Sequence, residues 1–376
     1  MIKKVFLYPF LLLLFSCFLS SAIVIKNSKK TSGESDKKPG RTLKLVEVKR
    51  ITDYEDDFVF KRPRRIKIAP DGSVFVAGRD QLLKFTQKGH YVKNFLKKGE
   101  GPGEVKYFSN FVLTKDSVII GAFLPVKIIT LSYGGVLKNE FTVHGLKPFT
   151  SLLEGWNDKL YFVSGNPDIS KSKDGVNIRK NEMLYVEKDR TATNMKLPFD
   201  TKDLMIKKTS KNGIMINMDE LTNLLTAFDN NGFLYVSHTE RYLIYQVDLA
   251  TGKINEKFNR AYEPVKYIEK IYTKKEDIVL YSLHKRKTFN DINRIFVYKG
   301  NLLIFTSTMN KDKATLVDVF NNKGKYIDNF YIKIPGVERP DDLERKPILF
   351  HNGFLWTVDV DEDDAPYVLK YKIDMM

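Results

Sequence analysis

Between Arg65 and Glu104 the chain reads RIKIAPDGSVFVAGRDQLLKFTQKGHYVKNFLKKGEGPGE, and its apolar positions fall into four short runs divided by turn residues. Ile66 and Ile68 alternate with polar neighbours before Pro70-Asp71-Gly72 turns the chain. Val74, Phe75 and Val76 form a second run, followed by the polar loop Gly78-Arg79-Asp80-Gln81. Leu82, Leu83 and Phe85 make a third, Lys88-Gly89 turns again, and Tyr91–Phe95 makes a fourth. Short apolar and aromatic runs punctuated by Gly, Asp and Pro predict a four-stranded antiparallel meander. Such a sheet is too small to bury both faces alone, so it requires copies of itself.

The copies are present. A second unit runs through Phe111–Leu113, Val118–Ile120, Val126–Leu131 and Val136–Phe141. A third uses Leu152-Leu153, Leu160–Val163, Met183–Val186 and a strand near Met195, with a long polar loop from Gly165 to Asn181. The fourth, Leu224–Phe258, matches the first turn for turn, with Asn231-Gly232 at its first hairpin and Thr251-Gly252 at its last. The fifth covers Ile295–Phe330, and the sixth begins at Ile348 and has only three strands, the last being Tyr367–Ile373. Repeats of about 40 residues or more, each a four-stranded meander, predict a β-propeller. The fold class is therefore all-β, six-bladed, with four-stranded antiparallel blades over residues 43–376. The strand missing from the sixth unit is available ahead of the first, in Leu43–Val48. An N-terminal strand there closes the ring and removes an exposed sheet edge. Segments 199–221 and 260–290 are excursions between units, and Tyr267–Leu283 within the second has the length of a short helix.

Composition changes this picture little, except at the N-terminus. With 26 Phe and 19 Tyr in 376 residues, a sizeable core is assured and global disorder is excluded. The net charge of +16 favours anionic partners. Lysines are scattered along turns and strand edges, and no dense basic stripe interleaved with aromatics stands out. At the start, Lys3-Lys4 precede an unbroken apolar run from Val5 to Ile25, so residues 1–25 are read as a signal peptide or membrane anchor. Leu14-Phe15-Ser16-Cys17 resembles a bacterial lipobox and would make Cys17 the lipidation site; Ser20-Ser21-Ala22 offers ordinary signal cleavage; the run is also long enough to remain as one span. All three place the body outside the cytoplasmic membrane, in the cell envelope as a periplasmic or outer-membrane protein. They remove nucleic acid as a partner. Residues 26–42 are a Ser/Gly/Lys-rich flexible tether. Cys17 is the single cysteine, so neither a disulfide within the chain nor a Cys-based metal site is available.

Gly89–Phe95, followed by Gly99-Glu100-Gly101-Pro102-Gly103-Glu104, resembles the six-bladed β-propeller lipoproteins of Bacteroidetes-like bacteria, relatives of NHL-repeat propellers. Lys253–Tyr267 is similar to a second stretch that recurs in them. The resemblance spans about residues 43–373. It implies the fold and an envelope location, and little chemistry.

Motifs for chemistry are sparse. Gly99–Glu104 fails as a phosphate cradle, because Pro102 removes an N–H, two glutamates repel anions and no helix follows; it reads as the crossover from the first blade to the second. Asp359–Asp364 begins like a calcium loop, but positions six and twelve hold Asp364 and Lys370 instead of Gly and Glu. A non-standard Ca²⁺ site is the one cofactor left open there. Histidines 90, 144, 238, 284 and 351 stand singly, without metal-ligand spacing, and no serine sits in a nucleophile elbow. No catalytic residue is assigned. Topology says more: loops after the second strand and crossovers after the fourth share one face of a propeller. That face gathers Arg79, Asp80, Glu100, Glu104, His238, Glu240, Arg241, Asp361 and Asp363, of which Arg79, Asp80, His238, Arg241 and Asp361 are the candidate ligand contacts. The expectation is a monomeric, non-catalytic binding or scaffold protein of the envelope, with an envelope protein or glycan as partner. The alternative is an envelope hydrolase or lyase acting on a glycan or lactone in the channel.

Overall fold

The computed structural model describes residues 40–53, 58–147, 150–165, 172–187, 190–210, 213–268 and 286–374. The segment 1–25 with Cys17, nearly all of the tether, and all but the first two residues of the expected helix at Tyr267–Leu283 lie outside the described residues.

Six blades carry the fold, the fifth and sixth joined into one eight-stranded sheet through the N-terminal strand. Blade 1 is Arg65–Ile68, Val74–Gly78, Gln81–Phe85 and Tyr91–Asn94; blade 2 is Phe108–Leu113, Ser117–Ala122, Lys127–Ser132 and Leu137–Thr142. Blade 3 is Ser151–Trp156, Lys159–Ser164, Glu182–Val186 and Ala192–Asn194; blade 4 is Leu225–Phe228, Phe233–Ser237, Ile244–Asp248 and Lys253–Phe258. Blade 5 is Ile292–Tyr298, Asn301–Met309, Thr315–Asn321 and Tyr326–Ile332. Blade 6 is Ile348–His351, Phe354–Val360 and Pro366–Asp374, completed by Thr42–Ile51. This last pairing is antiparallel, from Lys44 opposite Asp374 to Ile51 opposite Val368. Thr42 and Leu43 also run parallel to Tyr331 and Ile332 of blade 5.

The second strands are apolar on both faces because each face meets a different neighbour. In blade 1, Val74 and Val76 pack with Trp356, Val358 and Val368 of blade 6, whereas Phe75 and Ala77 pack with Phe111, Val118 and Ile120 of blade 2. Blade 5 repeats the rule. Leu302 and Ile304 join the blade 4 cluster, and Leu303 and Phe305 join Phe350 and Leu355 of blade 6. A period of two thus becomes two cores, one on each side of the sheet. A polar pin adds to this between blades 4 and 5, where fully buried Asp318 accepts from Tyr242 Oη at 2.8 Å and Arg260 Nε at 2.6 Å.

One excursion is more structured than the sequence suggests. Gly175–Arg179, inside the long loop of blade 3, pairs with Thr201–Ser210, which pairs in turn with Gly213–Glu220. The three strands form a separate sheet fastened by Arg179, whose guanidinium donates to buried Asp203 at 2.5 and 2.7 Å and to Glu220 at 3.0 Å.

Candidate cleft at the upper channel mouth

The innermost strand of every blade runs from the face of crossovers, here the upper face, toward the opposite one. Residues at the start of those strands therefore ring the upper mouth of the central channel. Ahead of blade 1, the segment Lys61–Arg65 is laid along the hairpin Val74–Phe85. Lys61 N donates to Gln81 Oε1 (2.8 Å), Gln81 Nε2 donates to Val59 O (2.6 Å), Arg79 N donates to Lys61 O (2.7 Å) and Arg64 N donates to Ala77 O (2.7 Å). Gly78 makes this approach possible, since a Cβ there would collide with the Lys61 carbonyl oxygen. Arg62 and Asp80 take the left-handed backbone conformation, with φ of 50° and 57°. Such strain persists only where the surroundings enforce it.

The result is a cavity of about 280 Å³ onto which Arg62, Arg64, Arg65 and Arg79 converge, together with Asp80, Tyr107, Phe108, Ser109 and Phe123. Tyr107 and Phe123 stack with centroids 5.6 Å apart and planes 14° from parallel. Among the described residues none of the four arginines has a carboxylate at ion-pair distance. Arg65 Nη1 donates a long bond of 3.4 Å to Ser109 O, carrying the charge from the cleft toward the channel. Although Arg65 keeps open surface, burial pulls its pKa down, with the adjacent Arg64 charge adding to the effect.

Across the channel, Arg294 on the inner strand of blade 5 donates to two main-chain carbonyls, Leu343 O at 2.8 Å and Lys346 O at 2.7 Å. Burial lowers its pKa to about 10; Glu344 partly offsets this and the charge of Arg65 works against it. Glu344 is itself pushed up by burial, with Asn290 Nδ2 3.5 Å from its Oε1. Guanidinium groups without carboxylate partners can take a carboxylate, sulfate or phosphate through paired N–H donors.

Of the residues singled out from sequence, Arg79 and Asp80 line this cleft. The others are placed elsewhere. His238 on blade 4 sits between Phe199 and Tyr245, at 5.4 and 5.3 Å, with Nδ1 donating to Asp200 O at 2.6 Å; burial lowers its pKa. Arg241 is exposed on the same loop and does not line the cleft. Asp361 turns its own loop, Oδ1 accepting from the amides of Asp363 (3.0 Å) and Ala365 (2.9 Å). Asp359 in that acidic run pairs with Lys346 at 3.0 Å. Glu104 accepts from Gly101 N at 2.9 Å inside its crossover, Glu100 pairs with Lys106 and Glu240 with Lys202. Among the described residues no group of three His, Cys, Asp or Glu side chains is placed to hold a metal ion. Sequence reading overlooked Arg62, Arg64 and Arg65. Their signal was the run Lys61-Arg62-Pro63-Arg64-Arg65-Ile66-Lys67, basic at five of seven positions.

Residues 52–290 match a protein family described as a 6-bladed β-propeller. The chain belongs to that family. The match spans the first four blades, and the structure adds the remaining two and the closure. No curated protein matches the chain. Among solved structures, a DUF4221-family protein of Bacteroides vulgatus is similar, with 11% identity, 89% of this chain and 99% of that chain covered, and a TM-score of 0.54. A candidate exported protein of Bacteroides fragilis has 12% identity over 89% of this chain and 95% of that one, with a TM-score of 0.49. A gluconolactonase of Xanthomonas campestris has 12% identity over 90% and 95%, with a TM-score of 0.44. At these identities the likeness carries the fold alone.

Proposed function

We propose that this propeller is an exported, membrane-anchored binding protein of the cell envelope whose ligand is an acidic glycan held at the upper channel mouth. The observation that carries the reading is the convergence of Arg62, Arg64, Arg65 and Arg79, without carboxylate partners among the described residues, on one cavity beside the stacked pair Tyr107–Phe123. Anionic groups would occupy the guanidinium forks, and the aromatic pair supplies an apolar surface for the sugar ring between them. Low-dielectric walls concentrate the positive potential and draw an anion inward. Export is supported by the apolar run Val5–Ile25 behind Lys3-Lys4, and anchoring by Cys17 in its lipobox-like setting.

The test is a binding survey of the protein against carboxylated, sulfated and uncharged polysaccharides. Retention of the acidic ones, released by added salt, is the expected result. Equal retention of acidic and neutral polymers would refute the reading.

A second reading, hydrolysis or lyase chemistry in the channel, is supported by the setting of Glu344, a carboxyl beside Asn290 and near Arg294, where burial raises its pKa against the lowering effect of Arg286. That is the state a general acid needs. Time-dependent cleavage of a bound glycan or lactone, abolished by Glu344→Gln, would establish it; unchanged ligand after prolonged incubation would dismiss it.

A further inference from the structure

The opposite end of the channel holds a second cavity, of about 410 Å³, built where the inner strands of five blades end. Lys67 of blade 1 reaches across to Glu154 of blade 3, Nζ to Oε2 at 2.9 Å, passing 5.7 Å from the Phe111 ring of blade 2. This ion pair bridges blades 1 and 3 past the inner edge of blade 2 and lines the cavity. Trp156 and Phe228 supply aromatic walls, and Asn230 and His351 stand at the rim. Gly232 of blade 4 leaves the room that the indole of Trp156 occupies, because a Cβ at that position would collide with the ring.

The chemistry here differs from that of the upper mouth. Lys67 and Glu154 neutralise one another, so the net charge left on the lining is that of the Asp229 carboxylate, which disfavours an anion. Each keeps unspent hydrogen-bonding capacity: Lys67 has N–H groups beyond the one given to Glu154, and Glu154 Oε1 accepts only a weak bond, at 3.2 Å, from Gly155 N. Asp229, by contrast, is committed to its own turn, Oδ1 accepting from Asn231 N at 3.0 Å and Phe233 N at 2.8 Å. What remains is a concave site, about equally polar and apolar, with a few convergent donors and acceptors and a volume that fits a small ring.

We infer that the lower mouth binds an uncharged, hydroxyl-rich ring, a neutral sugar residue, with its apolar face against Trp156 and its hydroxyls on Lys67, Glu154 and Asn230. The two ends of the channel then select different sugars, acidic above and neutral below. A carboxylate that took the spare N–H groups of Lys67 would face the negative charges of Glu154 and Asp229; a neutral polyol uses the spare donors and acceptors of the pair without that repulsion.

The molecule carries its own probe. Its two tryptophans are Trp156 in this cavity and Trp356 in the core, so Trp356→Phe leaves a single reporter at the site. The single-tryptophan protein is titrated with lactose, cellobiose and N,N′-diacetylchitobiose, and separately with galacturonate. The expected result is a saturable change in Trp156 emission with at least one neutral disaccharide and none with galacturonate. Glu154→Gln should weaken that response about tenfold, the loss for one hydrogen bond to a charged group. Lys67→Met, which removes the donor but keeps an apolar stem, should weaken it similarly. Emission unaffected by all three disaccharides would overturn the inference, as would a response to galacturonate alone. A response that survives both substitutions at full strength would also overturn it. Should Trp356→Phe fold poorly, the same titrations followed by calorimetry on the wild type, Glu154→Gln and Lys67→Met read the same outcomes.

Discussion

His238 shows how far a setting changes what a residue type promises. On sequence it stood on a ligand-facing loop as a candidate ligand contact. In the structure its ring is packed between Phe199 and Tyr245, and burial lowers its pKa below the ordinary 6.5. Protonation therefore favours the unfolded chain. The stability gained by keeping the ring neutral is complete above pH 6.5 and is lost as pH falls from there through the lower folded pKa. Between neutral pH and about pH 5, the wild-type Tm should fall more steeply than that of His238→Phe. Parallel slopes would show that this imidazole does not titrate differently on folding. The arginines err in the other direction. Arg62, Arg64 and Arg65 looked like ordinary basic residues before a strand, because what gathers them is a segment laid on the hairpin through Gly78 and Gln81. Hydrophobic periodicity carries no trace of such a contact.

At the scale of elements, alternation placed the blade strands well because each buries its side chains against two neighbours, which writes a strong period of two into the chain. The sheet formed by Gly175–Arg179, Thr201–Ser210 and Gly213–Glu220 escaped notice. Its first strand lies in a loop of blade 3 and the others in the next crossover, so the pairing joins stretches that sequence gives no reason to connect. Its fastening is the ion pair of Arg179 with Asp203, whose residue is fully buried. Arg179→Ala leaves a buried carboxylate without its partner, a change worth about 3–5 kcal/mol where such charges cannot be rehydrated. Hydrogen exchange should rise across 201–210 and 213–220, while the blade strands keep their protection. Unchanged exchange in that sheet would mean that Asp203 is rehydrated or protonated at little cost.

For the whole molecule, the shortage of one strand in the sixth repeat was enough to predict closure by the N-terminal strand, and Thr42–Ile51 lies against Pro366–Asp374. Deleting residues 43–50 strips an edge from blade 6 and exposes the site of Leu43, which is packed in the core cluster shared by blades 5 and 6. The expected cost is several kcal/mol, seen as a lowered Tm; an unchanged Tm would contradict closure as a source of stability. The candidate cleft was not legible at this scale. It is assembled from the segment before blade 1, the first hairpin loop and the crossover into blade 2, whose relative positions only the closed ring defines. The loop residues chosen from topology lie on separate blades, so Arg79 and Arg241 do not line one cavity.

The most direct test of the acidic-glycan reading is calorimetric titration of a carboxylated oligosaccharide, trigalacturonate, into the wild type and into Arg62→Ala/Arg64→Ala/Arg79→Ala. These side chains lie at the surface of the cleft, so the variant should keep the wild-type Tm to within a few degrees. With three charge-assisted contacts removed, binding should weaken by about two orders of magnitude or more, and the wild-type affinity should fall as salt is added. Equal affinity of the two proteins for trigalacturonate, at equal Tm, would place the anion site elsewhere and contradict the account.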